Sequence, residues 1–249
     1  MISLVLLLAA GFLAGAMNAI AGGGSFLSFP ALVFAGLPSV VANASSTVAL
    51  FPGAVSSAWV YRRDFSPIGG IPLWKLLTVS VVGGWLGAIL LLVTPVQTFD
   101  AVVPWLLLFA TVTFAFGRGA GARLRRHVRI DPALLLAIQF VLGIYGGYFG
   151  GAIGIMMLAT WTLLGTESLA RLNPVRILAV GATNGIAVLC FIAAGKVWWP
   201  ETLVMLAGAV AGGYGGASLG RRLPPTVTRA MILTVTTGMT LVFFWRRFG

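Results

Sequence analysis

Charge is scarce in this sequence. Only 8% of its 249 residues are Asp, Glu, Lys or Arg, where an average soluble domain carries about 25%. Acids are scarcest: Asp64, Asp100, Asp131, Glu167 and Glu201 are the only five, and each falls in or beside a segment that separates long apolar runs. A single cysteine, Cys190, excludes an internal disulfide and a cysteine metal cluster. Set in an apolar run, it reads as a small packing residue. A single histidine, His127, sits in the most basic loop. One His and one Cys do not assemble a zinc or haem site of familiar type, so no metal or other cofactor is expected. No Lys or Arg precedes Arg62, so the run from Met1 to Ala21 lacks the basic start of a secretory signal and is read as mature structure.

Apolar residues fill the space that charge leaves. They make up 59% of the chain, against about 45–50% on average. Several uncharged stretches exceed the ~18 residues that mark a spanning helix. The chain is therefore read as an all-α integral membrane protein, multi-pass in a cell inner membrane of bacterial type, with the lipid bilayer as its solvent. The net charge of +11 sits mostly in short loops between apolar runs, where the positive-inside bias concentrates basic residues. No nucleic-acid partner is expected. Trp74, Trp105, Trp161, Trp198, Trp199 and Trp245 fall near predicted helix ends and read as an interfacial aromatic belt.

The first apolar stretch, Ile2 to Gly36, would be about 51 Å long as one straight helix, far beyond a hydrocarbon core of ~30 Å. Gly22-Gly23-Gly24 must break it. The pattern predicts helices near 2–20 and 25–35, then near 41–61, 72–93 and 98–116, with Pro52-Gly53 bending the third. Gly117–Asp131 reads as a polar loop carrying Arg118, Arg123, Arg125, Arg126, His127 and Arg129. The plan then repeats: an apolar stretch Ala133–Gly165 broken near Gly150-Gly151, and helices near 173–194, 202–219 and 226–245. Gly83-Gly84-Trp85-Leu86-Gly87-Ala88 corresponds to Gly212-Gly213-Tyr214-Gly215-Gly216-Ala217, and Thr94-Pro95 to Leu223-Pro224, both at an offset of 129. The glycine breaks correspond at 128 and Asn43 with Asn173 at 130. These matches divide the chain into a first transmembrane repeat at 1–117, a basic cytoplasmic linker at 118–131 and a second repeat at 132–249.

An odd number of crossings per half makes the repeats inverted. That arrangement gathers every Lys and Arg on one side except Lys196, Arg246 and Arg247. A parallel arrangement divides them more evenly, so the inverted reading is preferred, with both termini outside. Inverted repeats with broken or re-entrant helices place a substrate site near the midplane between the halves.

Gly11-Phe12-Leu13-Ala14-Gly15, Asn18, Gly22-Gly23-Gly24, Phe29-Pro30 and Ala42-Asn43 with Ser45-Ser46-Thr47 resemble the first-half motif of the sulfite exporter TauE/SafE family. Gly146–Gly151, Asn173 with Arg176, Asn184, Gly195-Lys196-Val197-Trp198 and Gly212–Leu223 follow in the order of the second half. The resemblance covers nearly the whole chain. It implies transport of sulfite or small organosulfonates. Two positions depart from the family pattern: the second break reads Gly150-Gly151-Ala152, and Arg176 stands where lysine is expected.

A helix that begins inside the membrane leaves N–H groups without intrahelical partners. Lipid does not satisfy them, and the positive end of the dipole suits an anion. Two such ends, near Gly23–Ser25 and Gly151–Ile153, are expected to meet, which makes Gly22, Gly23, Gly24, Ser25, Gly150 and Gly151 candidate binding residues for a small anionic substrate. The competing reading is close helix packing through small residues. Asn43 and Asn173 each stand just before a predicted helix, where Asn caps well and Pro174 fits a first turn. They cap, or line the site beside Ser46 and Thr47, or both. Arg176 shares a helix face with Val180 and Asn184, and its planar fork suits a sulfonate or carboxylate. The competing role is an interfacial arginine reaching lipid headgroups. Asn184 lies deeper and bonds another helix or the ligand.

A membrane enzyme needs a nucleophile, an acid–base pair or a metal cluster, and the mid-span inventory of Asn, Ser and Thr supplies none. The leading reading is a transporter for a small sulfur-containing anion, exported without a coupling ion. Outward movement of one negative charge is favoured by roughly 2.3 kcal/mol per 100 mV, and no acid is placed mid-span to carry a proton. An anion channel, an uptake transporter for another small organic anion and a purely structural subunit are the alternatives. A homo-oligomer is compatible with the sequence.

Overall fold

The computed structural model describes residues 4–21, 23–124, 130–164, 168–220 and 225–248. Among them the chain forms ten α-helices: α1 (Leu4–Ala21), α2 (Ser25–Phe34), α3 (Ser39–Val60), α4 (Leu73–Val93), α5 (Val96–Leu124), α6 (Pro132–Tyr148), α7 (Ile153–Trp161), α8 (Leu169–Ala193), α9 (Trp199–Gly220) and α10 (Pro225–Phe248). Three of the segments, Leu73–Val93, Val96–Phe116 and Arg171–Ala193, are long and apolar enough to cross a membrane. Val5, Phe109, Leu189, Val210 and Leu241 point outward, each more than half exposed. An apolar exterior on a helical protein is what a lipid solvent selects.

Both overlong apolar stretches are broken at their glycines. The chain leaves α1 through Gly23-Gly24 and starts α2 at Ser25. It leaves α6 at Tyr148 and restarts at Ile153, after Gly150 at φ +80° and Ala152 at φ 58°. The left-handed region strains any residue but glycine, so Ala152 holds this turn at a cost that Gly150 does not incur. The Ile130 amide donates to the Leu163 carbonyl at 3.3 Å. After α7 the chain has thus returned to the level at which α6 began.

Several predicted boundaries are corrected. The helix expected to begin near 41 begins at Ser39, and the one expected near 173 begins at Leu169. Extended backbone at Pro38 (ψ 141°) and Ser168 (ψ 152°) starts each helix about a turn upstream of its asparagine. Asn43 and Asn173 are therefore interior residues rather than N-caps, and Pro174 lies inside α8, where it gives up one backbone bond. Helix α5 runs on to Leu124, through the start of the stretch expected to be a polar linker, although Gly117, Gly119 and Gly121 there are weak helix formers. The rest of that stretch, 125–129, lies outside the described residues. Trp161 does not belong to an interfacial belt. It is fully buried, and its Nε1 donates to Gln139 Oε1 at 3.0 Å, while Gln139 Nε2 donates to Ser80 Oγ at 2.8 Å.

Two close parallel helix pairs build the molecule. Leu8 and Phe12 of α1 lie against Gly208 and Gly212 of α9, and Ile144 and Tyr148 of α6 lie against Gly87 of α4. Each of the four helices carries glycines four residues apart: Gly11 and Gly15, Gly83 and Gly87, Gly143 and Gly147, Gly208 and Gly212. At Gly147 and Gly212 a Cβ would collide with the partner's backbone. Lipid gives apolar helices no reason to associate, so backbone proximity of this kind supplies the packing energy. The first helix after the chain start thus pairs with α9, and the first helix after the central loop pairs with α4. Thr111 of α5 and Thr240 of α10, separated by 129 residues, share a hydrogen bond at 3.1 Å between their hydroxyls.

Candidate functional site

The two helix breaks meet beside α3 and α8. Ser25 at the start of α2 and Gly150, Ile153 and Gly154 around the start of α7 line one small cavity of about 50 Å³. Asn18 from α1, Thr47, Leu50 and Ala54 from α3, and Arg176, Val180 and Asn184 from α8 complete it. Asn18, Ser25, Thr47, Arg176 and Asn184 bring polar groups into it beside the apolar Leu50, Ala54, Ile153 and Val180.

Each element reaches the cavity for a local reason. Arg176, Val180 and Asn184 are four residues apart and so share one face of α8. Thr47 and Leu50 do the same on α3, where Thr47 Oγ1 donates to the Asn43 carbonyl at 2.9 Å. Neither Gly24 nor Ala152, the N-caps of α2 and α7, bears a side chain that accepts from its helix. The first turns close through Phe26 N to the Gly23 carbonyl and Ile155 N to the Ala152 carbonyl. Two helix N-termini with no capping side chain therefore face the same space, each equivalent to roughly half a positive charge. Arg176 is the one charged side chain among the cavity's described lining residues. Its Nε donates to Asn173 Oδ1 at 3.1 Å. Gly154 makes room for it: a Cβ there would lie 2.7 Å from the Arg176 Nη1. Asn184 Oδ1 is buried and has no hydrogen-bond partner among the described residues. Such an atom is costly unless something fills the role of donor.

Of the residues singled out in the sequence, Ser25, Thr47, Gly150, Arg176 and Asn184 line the cavity. Gly23, Gly24 and Gly151 are buried in the breaks themselves, and Gly22 lies outside the described residues. Asn43 is turned elsewhere. Only 2% exposed, it donates through Nδ2 to the Tyr148 carbonyl at 3.0 Å and so ties α3 to the end of α6. Ser46 is buried against Ser28 at 2.6 Å, and Ser28 Oγ donates to the Gly24 carbonyl at 3.1 Å, which fixes the first break from behind. Asn173 holds the arginine rather than lining the cavity. Sequence reasoning passed over Asn18 and Gly154 as lining residues. Asn18 had a signal, its place one turn ahead of the first glycine break. Gly154 had none, because its importance comes from a residue 22 positions away in space-filling contact.

Comparison with known proteins finds membrane transporters that match along nearly the whole chain. A probable membrane transporter protein of Haemophilus influenzae is 29% identical over 239 residues, covering 95% of this chain and 92% of the relative. One from Sinorhizobium is 27% identical, covering 96% and 91%. The probable membrane transporter protein YfcA of Escherichia coli K12 is 27% identical, covering 95% and 88%. No solved structure matches the chain. Residues 7–243, both helix breaks and all the cavity-lining residues among them, match the sulfite exporter TauE/SafE family. The chain belongs to that family of membrane transporters.

Proposed function

We propose that this protein exports a small sulfur-containing anion of the sulfite or organosulfonate class across a cell inner membrane, holding it in the cavity between the N-termini of α2 and α7. The observation that carries the reading is the convergence of those two N-termini with Arg176 and the unpaired Asn184 carbonyl oxygen. The N-termini and the guanidinium stabilise negative oxygens. The Asn184 oxygen, an acceptor, suits the amine or hydroxyl of an organosulfonate, or the proton of hydrogensulfite. Helices α1–α5 and α6–α10 act as two inverted repeats, with α1–α2 and α6–α7 as re-entrant hairpins entering from opposite faces. Supporting this are the matched parallel pairs α1 with α9 and α4 with α6, the Ile130–Leu163 closure and the Thr111–Thr240 contact at the repeat offset.

The test is equilibrium binding to purified protein of sulfite, thiosulfate, sulfoacetate, taurine and simple carboxylates. Saturable binding of a sulfur oxyanion, weakened by substitution at Arg176, is expected. Preference for a carboxylate would turn the reading toward another organic anion, and flux that does not saturate would turn it toward a channel.

A further inference from the structure

A second cavity, larger at about 260 Å³, opens where α3 and α5 begin and α2 and α10 end. Ser39, the first residue of α3, lines it, and so do Asp100, Arg246 and Arg247. Ser39 is 4% exposed, and its buried Oγ has no hydrogen-bond partner among the described residues. A buried hydroxyl left in that condition is unfavourable unless a ligand pairs with it. The α3 N-cap is Pro38, which offers no side-chain acceptor to the helix. Arg246 is held over the Phe34 ring at 5.9 Å. The two arginines in the last turn of α10 also offset that helix's negative end, and this accounts for their presence but not for the unpaired serine. With Asp100 as the opposing carboxylate, the charged side chains lining the cavity sum to one excess positive charge.

We infer that this mouth is a second oxyanion site, taking a sulfate-, sulfonate- or phosphate-type group on Ser39 Oγ, the α3 N-terminus and Arg247. It is separate from the central cavity. Ser39 and Thr47 are eight residues apart on α3, or about 12 Å along the helix. Between the two cavities stand packed rings. Phe29 meets Phe149, the neighbour of the cavity-lining Gly150, edge-on at 5.9 Å, and Phe243, which lines the mouth, at 5.6 Å. An anion at the mouth is therefore separated from the central cavity by the Phe243, Phe29 and Phe149 rings, and its binding does not depend on Arg176.

The ligand group has two sources, a free anion or the phosphate of an anionic lipid, and two arms separate them. Full-length protein in uncharged detergent is melted with and without inorganic sulfate, and its retained phosphatidylglycerol is measured by native mass spectrometry. Each measurement is made for the parent, Ser39→Ala, Arg247→Gln and Arg176→Gln. A free-anion site gives a sulfate-dependent rise in melting temperature that Ser39→Ala and Arg247→Gln abolish and Arg176→Gln keeps. A lipid site gives bound phosphatidylglycerol that falls at least tenfold in the same two variants. Ser39→Ala without ligand should melt no lower than the parent, since it removes an unpaired hydroxyl. If neither ligand effect depends on Ser39 and Arg247, or if Ser39→Ala alone lowers the melting temperature, the inference is overturned.

Discussion

Arg176 is the residue whose loss should separate binding from folding. Its Nε is engaged by Asn173, and the guanidinium lies against Gly154 at the edge of the cavity. Arg176→Gln is expected to weaken anion binding by about 1.5–3 kcal/mol, the range for a hydrogen bond to a charged group, with protein yield unchanged. Lysine should recover only part, since it lacks the planar fork. Calorimetric titration of the variants checks this, and an unchanged affinity in the Gln variant would return Arg176 to an interfacial role. Gly154→Ala tests the same geometry from the other side. Its new methyl meets the end of a flexible side chain, so the guanidinium should move and the fold remain. Affinity should fall about tenfold, the equivalent of roughly 1.4 kcal/mol, with little change in melting temperature. Arg176 and Asn184 were legible in the sequence because helical spacing put them on one face. Asn43 and Ser46 were not, since their partners Tyr148 and Ser28 lie on other helices.

At the scale of elements, length did most of the predicting. A run too long for the hydrocarbon core had to break, and glycines marked where. Helix starts were less legible. Asn173-Pro174 carries a strong start signal, yet α8 begins at Leu169, because an extended Ser168 and the burial of Leu172 outweigh a local preference. Asn43 became a brace for the second break rather than a cap. Asn43→Ala should leave the Tyr148 carbonyl unpaired and cost about 1–3 kcal/mol of stability, read as a lowered unfolding midpoint in detergent. Loss of anion affinity with an unchanged midpoint would instead place Asn43 in contact with the ligand.

For the whole molecule, neither the Thr111–Thr240 contact nor the exchange of partners, α1 with α9 and α4 with α6, was legible in the sequence. Nothing in hydropathy says which glycine stripe meets which. The proposed inversion puts the Ser39 mouth, with Arg246 and Arg247, outside, and the Asp131 end inside. A cysteine introduced at Ala194 in a Cys190→Ser background should therefore react with an impermeant thiol reagent on intact cells, and one introduced at Asp64 should not. Reaction at Asp64 but not at Ala194 would reverse the orientation. Of the described acids, Asp64 lies in a loop, Asp131 caps α6, Glu201 is in the first turn of α9, and Asp100 is the exposed fifth residue of α5. We therefore assign the driving force to voltage rather than protons. Reconstituted protein loaded with its anion and given a potassium-set potential, negative on the cytoplasmic side, tests this most directly. Efflux should follow the potential at roughly 2.3 kcal/mol per charge per 100 mV and continue when a protonophore collapses the proton gradient at held potential. Efflux that ignores the potential, or that stops with the proton gradient, would contradict it.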